Sequence, residues 1–430
     1  MERNIKTRLA IFALGLWSMG MVSCSGDYTF TPPKIQGTAY DPAKAVTVDK
    51  IIPDSGVYLT QFVIKGSNFG MDKDKITVLF GGKKATIVNT NGTEIYGITP
   101  KQDDGFNKVT VAVGDGTPSE MPSTFKYTKK EQVNFLTGGG GYVDGTLAES
   151  RFSYMRGIGV VAGNNLIVSD PRDNQRIRLV APEEDKVTTL LTNVYCAKPA
   201  VTKDRKTLYV CTLTSPHTLY EFKQENGWVP KRLAKSLSEF TGEIHSMALD
   251  DSEEWLYVRD GKGVFGRINI ANPSTIEILN ENCGAAQTSQ TSYLIWDPFD
   301  KRFFLSVQGL GGIYTVSNDG QTVEQYAGFN GLATLDGPRQ DAKFANPVGM
   351  AQDLDGNLYV IDSGQHCLRK IDRTTGMVSV VVGIPGSAGN EDGNPLESRL
   401  NWPYDVACDD EGNFYIVEGW GNKIKKYAIE

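Results

Sequence analysis

Downstream of residue 131 the chain alternates between short apolar phrases and clusters of Gly, Asn, Asp and Pro. Leu166-Ile167-Val168, Thr207-Leu208-Tyr209-Val210, Trp255-Leu256-Tyr257-Val258, Phe303-Phe304-Leu305-Ser306, Leu358-Tyr359-Val360 and Phe414-Tyr415-Ile416 are too short for helices. They are rich in β-branched and aromatic residues, so each predicts a buried strand. A more polar phrase follows most of them, as in Leu219-Tyr220-Glu221-Phe222 and Gly312-Ile313-Tyr314-Thr315-Val316. Outer strands are predicted over 187–191, 276–279, 323–326 and 378–382. Residues 45–128 carry a second set of short alternating runs, including Ile76-Thr77-Val78-Leu79-Phe80 and Val109-Thr110-Val111-Ala112-Val113. About seven strands in a segment of that length predict a small immunoglobulin-like β-sandwich.

One block recurs within the longer region. From Asp336 it reads Asp-Gly, then Phe344, Pro347 and Asp362, the last 26 residues on. The same offsets from Asp392 give Gly393, Leu400, Pro403 and Glu418, and from Asp144 they give Gly145, Phe152, Met155 and Asp170. A repeat near 50 residues built of short strands predicts propeller blades, each burying its faces against its neighbours. Residues 131–430 accommodate six. The chain stops after a third-strand phrase at Lys423-Ile424-Lys425-Lys426-Tyr427, while Gln132-Val133-Asn134-Phe135-Leu136 has the pattern of a fourth strand. The expected fold is therefore all-β: a small immunoglobulin-like β-sandwich, then a six-bladed β-propeller closed by its N-terminal strand. Closure of this kind removes open sheet edges. The Asp-Gly pairs read as turn-forming hydrogen bonds.

Two resemblances sharpen this. Ile52-Pro53-Asp54-Ser55-Gly56, Ile64-Lys65-Gly66-Ser67-Asn68-Phe69-Gly70 and Val78-Leu79-Phe80-Gly81-Gly82 together resemble the IPT/TIG family of immunoglobulin-like domains. Gly66 and Gly70 read as flanking a turn in which positive φ is cheap. Phe344-Ala345-Asn346-Pro347 through Asp355-Gly356-Asn357-Leu358-Tyr359 to Leu368-Arg369-Lys370-Ile371 resembles the NHL repeat, and so does the stretch from Asn401 to Gly419. NHL propellers include both binding proteins and enzymes, so the resemblance leaves function open.

The N-terminus changes the picture of where the protein works. Arg3, Lys6 and Arg8 precede an apolar run over residues 9–22, too short to span a bilayer comfortably. It ends in Met21-Val22-Ser23-Cys24, which resembles a bacterial lipobox with Met in place of the usual Leu. The resemblance implies a signal peptide over 1–23, acylation of Cys24 and a tether over 24–44. The expected location is the outer membrane, lipid-anchored and facing the cell exterior. The formal charge of −7 argues against nucleic acid as a partner. Five further cysteines include no Cys-x-x-Cys pair and read as buried free thiols, with a Cys196–Cys211 bridge as the alternative.

Candidate chemistry comes from positions that differ between copies of the block. Tyr154, Asn346 and Trp402 share one slot on the loop into the inner strand, and Arg156, Val348 and Tyr404 share another. In the diverged blades the second slot falls near Lys198, His245 and Ser292. The loop between second and third strands opens on the same face and supplies Arg172-Asp173, His217, Arg259-Asp260, Gln365-His366 and Trp420. The expected ligand-binding set is Tyr154, Arg156, Lys198, His245, Trp402, Tyr404 and Trp420. Aromatic rings stack on the C–H face of a sugar, and cationic groups suit an acidic one. The three histidines, His217, His245 and His366, occupy different slots of different blades, so no metal, cofactor or catalytic role is expected.

The order of tether, sandwich and propeller resembles glycan-binding lipoproteins of outer-membrane import systems in Gram-negative bacteria. That resemblance implies capture of a poly- or oligosaccharide, with an outer-membrane transporter complex as a partner. An envelope protein-interaction scaffold is the alternative, and a lyase or hydrolase the third reading.

Overall fold

The computed structural model describes residues 37–171, 175–196, 198–284, 291–329 and 332–429. The signal segment, Cys24 and the Arg172-Asp173 pair lie outside them. The chain divides into two compact units. In the first, the strands Thr47–Ile52, Gln61–Ser67, Glu94–Ile98 and Thr86–Thr90 form one sheet, and Ser119–Glu120, Val109–Val113, Ile76–Phe80 and Lys83–Lys84 form another. Alternate residues of Ile76–Phe80 and Val109–Val113 are buried, as the period-2 pattern requires. Phe80 packs between Phe62 and Phe125, at centroid distances of 5.1 and 5.2 Å. Gly70 has the expected positive φ of +74°. Gly66 is needed for a different reason: a Cβ there would lie 2.1 Å from the Thr47 carbonyl on the paired strand.

The second unit contains, among its described residues, six sheets that share a four-strand order, one of them extended by a fifth strand, Gly337–Pro338. Each runs from an inner strand outward through antiparallel neighbours; the first holds Gly157–Val161, Asn165–Asp170, Arg176–Ala181 and Lys186–Leu191. The other inner strands are Ala200–Val201, Met247–Leu249, Ser292–Asp297, Pro347–Gln352 and Pro403–Cys408. Gly157–Val161, Leu358–Asp362 and Phe414–Glu418 are buried at every position, because each sheet is covered on both faces. This is why their sequences read as unbroken apolar runs. The cores lie between successive sheets; one gathers Phe152, Ile158 and Leu166 of the first blade with Ala407, Tyr415 and Val417 of the last. In the last blade the fourth strand is Glu131–Gly138, paired antiparallel with Lys423–Ile429.

The recurrent block is a staple built around a buried cation. Arg178 and Arg369, both fully buried on third strands, donate to Asp144 and Asp336 at 2.7 Å and lie 3.9 and 3.7 Å from Asp170 and Asp362. Lys425 makes the equivalent bond to Asp392 at 3.1 Å. The first acid of each block also accepts a backbone N–H from the outer strand: Thr189 to Asp144, Val380 to Asp336 and Phe135 to Asp392, at 2.8–2.9 Å. These bonds to the outer strand and the cation replace the local turn bonds expected of the Asp-Gly pairs. The arginine planes lie 4.0 and 4.2 Å from the rings of Phe152 and Phe344. Where lysine takes the cation's place, the aromatic position is Leu400. A guanidinium stacks on a ring face, whereas a compact ammonium on a flexible stem depends less on one.

Cys196 and Cys211 are both buried free thiols, so the alternative of a bridge between them is not realised.

Deleting residues 131–137 removes the strand that pairs with Lys423–Ile429 and the donor to Asp392. We expect the truncated chain to lose cooperative thermal unfolding of the whole propeller, as followed by calorimetry. An unchanged transition would show that the last blade stands without its fourth strand.

Candidate functional site

The acid ending the second strand shapes the loop that enters the inner strand. Asp170 accepts from Ser153 N at 3.0 Å, Asp362 from Asn346 N at 2.7 Å, Asp260 from Gly242 N at 2.7 Å and Glu418 from Asn401 N at 2.9 Å. The next residue is held by the preceding blade. Asn422 Oδ1 accepts from Tyr154 N at 2.8 Å, and His366 Nδ1 accepts from Trp402 N at 3.1 Å. That bond assigns the neutral Nε2–H tautomer to His366, in keeping with the burial that lowers its pKa. Tyr154 and Trp402 both adopt left-handed backbone, with φ of +60° and +50°. Such strain in non-glycine residues persists where the surroundings over-determine it, and functional sites are where it clusters.

Tyr154, Tyr404, Trp420 and Arg156 form one cluster. The Tyr154 and Tyr404 hydroxyls are 2.7 Å apart, Trp420 stands edge-on to Tyr154 at 4.9 Å, and Arg156 lies 5.1 and 5.0 Å from the two tyrosine rings. Trp402 and Trp420 sit on adjoining loops, where Gly419 N donates to Trp402 O. Both indoles are open to solvent, at 38% and 51% exposure, while Tyr404 is buried. His366 supports Trp402 edge-on at 4.9 Å.

Lys198 is not part of this cluster. Its ammonium donates to Asp405 Oδ1 at 2.6 Å, Val406 O at 3.0 Å and Met350 O at 3.1 Å, which uses all three of its N–H groups inside the barrel of inner strands. Asp405 Oδ2 accepts from Ile158 N at 2.9 Å. Burial pushes the Asp405 carboxyl up to about 6, with Lys198 pulling it back. His245 is also buried, with Nε2 3.3 Å from the half-exposed Glu243 carboxylate. Burial lowers its pKa against the pull of Glu243. Tyr293 and Glu243 join this region unannounced by the sequence, since the diverged blades lack the block that fixes register; Asp405 lies inside the last copy of the block, but its partner Lys198 does not.

Lys198 and the inner strands line a cavity of about 540 Å³ that Arg156 does not reach. It is walled by Ile158, Met247, Leu294, Met350 and Val406, with Lys203, Arg205, Asp353 and Asp410 among the residues that line it. Of the expected binding residues only Lys198 lines it. Among the described residues no three His, Cys, Asp or Glu side chains gather as a metal site.

Comparison with known proteins follows this architecture. The model of the IPT/TIG domain matches residues 47–127. A Bacteroides thetaiotaomicron protein of unknown function with a crystal structure is 36% identical, covering 91% of this chain and 100% of that one, with a TM-score of 0.85. An auxiliary nutrient binding protein from Bacteroides ovatus shares the fold at 21% identity and a TM-score of 0.62, covering 91% of this chain and 100% of that one. Human NHL repeat-containing protein 2 is 22% identical over 337 residues, 70% of this chain and 43% of that protein. The chain spans less than half the length of the curated relatives it matches.

Glu418 offers a test of how the loops are held. Burial pushes its carboxyl up to about 7, against the pull of Lys425 and the Asn401 N–H, and its Oε2 has no hydrogen-bond partner. A carboxyl raised in the folded state binds its proton more tightly there, so its contribution to stability falls as pH rises from about 4.5 to 7. Glu418→Gln keeps an acceptor for Asn401 and removes the titration. Its stability relative to the parent should improve by about 1–3 kcal/mol between pH 4.5 and 8, measured by denaturant unfolding. A difference independent of pH would refute the buried carboxyl.

Proposed function

We propose that this chain, which belongs to the family of the 36% identical Bacteroides thetaiotaomicron protein, is a nutrient-binding lipoprotein that captures a carbohydrate and performs no catalysis. One observation carries the reading: two solvent-open indoles, Trp402 and Trp420, on adjoining loops beside the Tyr154–Tyr404–Arg156 cluster. Flat rings with a fixed rear support take the apolar face of a sugar, and hydroxyl and guanidinium groups take its polar edge. Pre-set backbone lowers the ordering cost of binding. The nutrient-binding name of the Bacteroides ovatus protein, which has the same fold, supports the class of function. An anchor on Cys24 at the outer membrane would hold the propeller outside the cell, and the TIG domain would act as a spacer next to a transporter.

Bound oligosaccharide should change tryptophan fluorescence. Replacing Trp402 and Trp420 together by Ala should abolish retardation in polysaccharide affinity gels, each single change weakening binding on the order of tenfold. If no plant, host or microbial glycan retards the native chain, the carbohydrate reading fails and a protein scaffold on the same face takes its place. Separately, Cys24→Ala should move the protein from membrane to soluble fractions. Persistence in membranes would refute lipid anchoring.

A further inference from the structure

Arg156 differs from most of the arginines of the propeller core. Arg178 and Arg369 each lie between two carboxylates, and Arg205, Arg267 and Arg373 pair with Asp410, Glu277 and Asp300. Among the described residues no carboxylate lies within ion-pair distance of Arg156. Its guanidinium donates to the Tyr154 hydroxyl at 3.3 Å, and among the described residues its buried Nε has no partner. Even so the side chain is firmly placed, between two tyrosine rings that are themselves joined, while its backbone carbonyl accepts from the Tyr293 hydroxyl at 2.8 Å. A guanidinium partly drawn out of water without a carboxylate paired to it is costly to keep. The arrangement is that of a preformed receptor for a carboxylate.

Its surroundings agree. His217 and His245 are 1% and 3% exposed, and His217 Nε2 and His245 Nδ1 lack hydrogen-bond partners. Arg259, also buried, bonds uncharged groups among the described residues: the carbonyls of Cys283 and Gly284 and the Ser292 hydroxyl. Among the described residues Arg259 feels the buried Asp260 beside it, while the carboxylate that feels Arg156 is the half-exposed Glu243, kept ionised by His245 first and by Arg156 among lesser influences.

We propose that the ligand is an acidic glycan, a uronate-containing chain whose carboxylate pairs with Arg156 while a neighbouring sugar stacks on Trp402 and Trp420. This rests on the carbohydrate reading above and narrows the acid-binding group to Arg156, since Lys198 is committed to Asp405.

The test uses the full chain in affinity gels containing polygalacturonate, alginate, hyaluronan or glucuronoxylan, each beside its carboxyl-reduced, neutral counterpart. At least one uronate polymer should retard the protein, and reducing its carboxyls should weaken binding by about tenfold or more. Arg156→Gln should lose the same factor on the acidic polymer and nothing on the reduced one, with an unchanged melting temperature as the check on folding. Equal binding of acidic and reduced forms, or binding of neutral glycans alone, overturns the acidic ligand and leaves carbohydrate binding standing. Failure of every glycan overturns both. The ligand comparison needs no variant, so a folding defect in Arg156→Gln leaves it decisive.

Discussion

A cation buried at the centre of a blade has to be compensated on every side, and that requirement organises three of the six sheets. The guanidiniums of Arg178 and Arg369 are cut off from water, and each lies between an acid that opens the repeated block and one that closes it. Removing one partner from such a set costs about 3–5 kcal/mol, because a charge is then stranded. The opening acid also grips the outer strand through a backbone N–H, and the closing acid grips the loop into the inner strand. One charge cluster thus fixes the rim of a blade, its inner loop and the distance between them. The strict spacing of the two acids follows from their sharing one cation.

That arrangement explains what could be read in advance. The two acids lie in one contiguous block and were visible as a repeat. Their cation comes 33 or 34 residues after the first acid, inside a phrase that looks like an ordinary strand, so the Asp-Gly pairs passed for turns. The slot holding Tyr154 and Trp402 was legible for the same reason the block was, since offsets within it are exact. Lys198 and His245 belong to blades without the block. Their depth could not be inferred, and the partner of Lys198 is 207 residues away. Gly66 illustrates a different gap: its position was plain, but the neighbouring carbonyl that demands it becomes visible only once two strands are paired.

Main-chain bonds, not side-chain packing, hold the inner loops. Ser153, Asn346 and Asn401 are fastened through their N–H groups, as are Tyr154 and Trp402. The slot can therefore carry Tyr in one blade and Trp in another while the left-handed backbone path is kept, whereas Asn346 is held by its own blade's Asp362 and leaves that path. A face built this way can change what it contacts without altering the scaffold beneath, which is how one propeller architecture serves many ligands.

Tyr427 donates its hydroxyl to Glu131, a partner 296 residues earlier in the chain. Contacts at such separation form slowly, because almost the whole propeller must be in place before the two strands meet. During that interval Glu131–Gly138 is a strand without a neighbour, carrying an unpaired row of amides and the exposed ring of Phe135. The last blade is thus both the final step of assembly and the moment at which the chain is most open to pairing with another copy of itself.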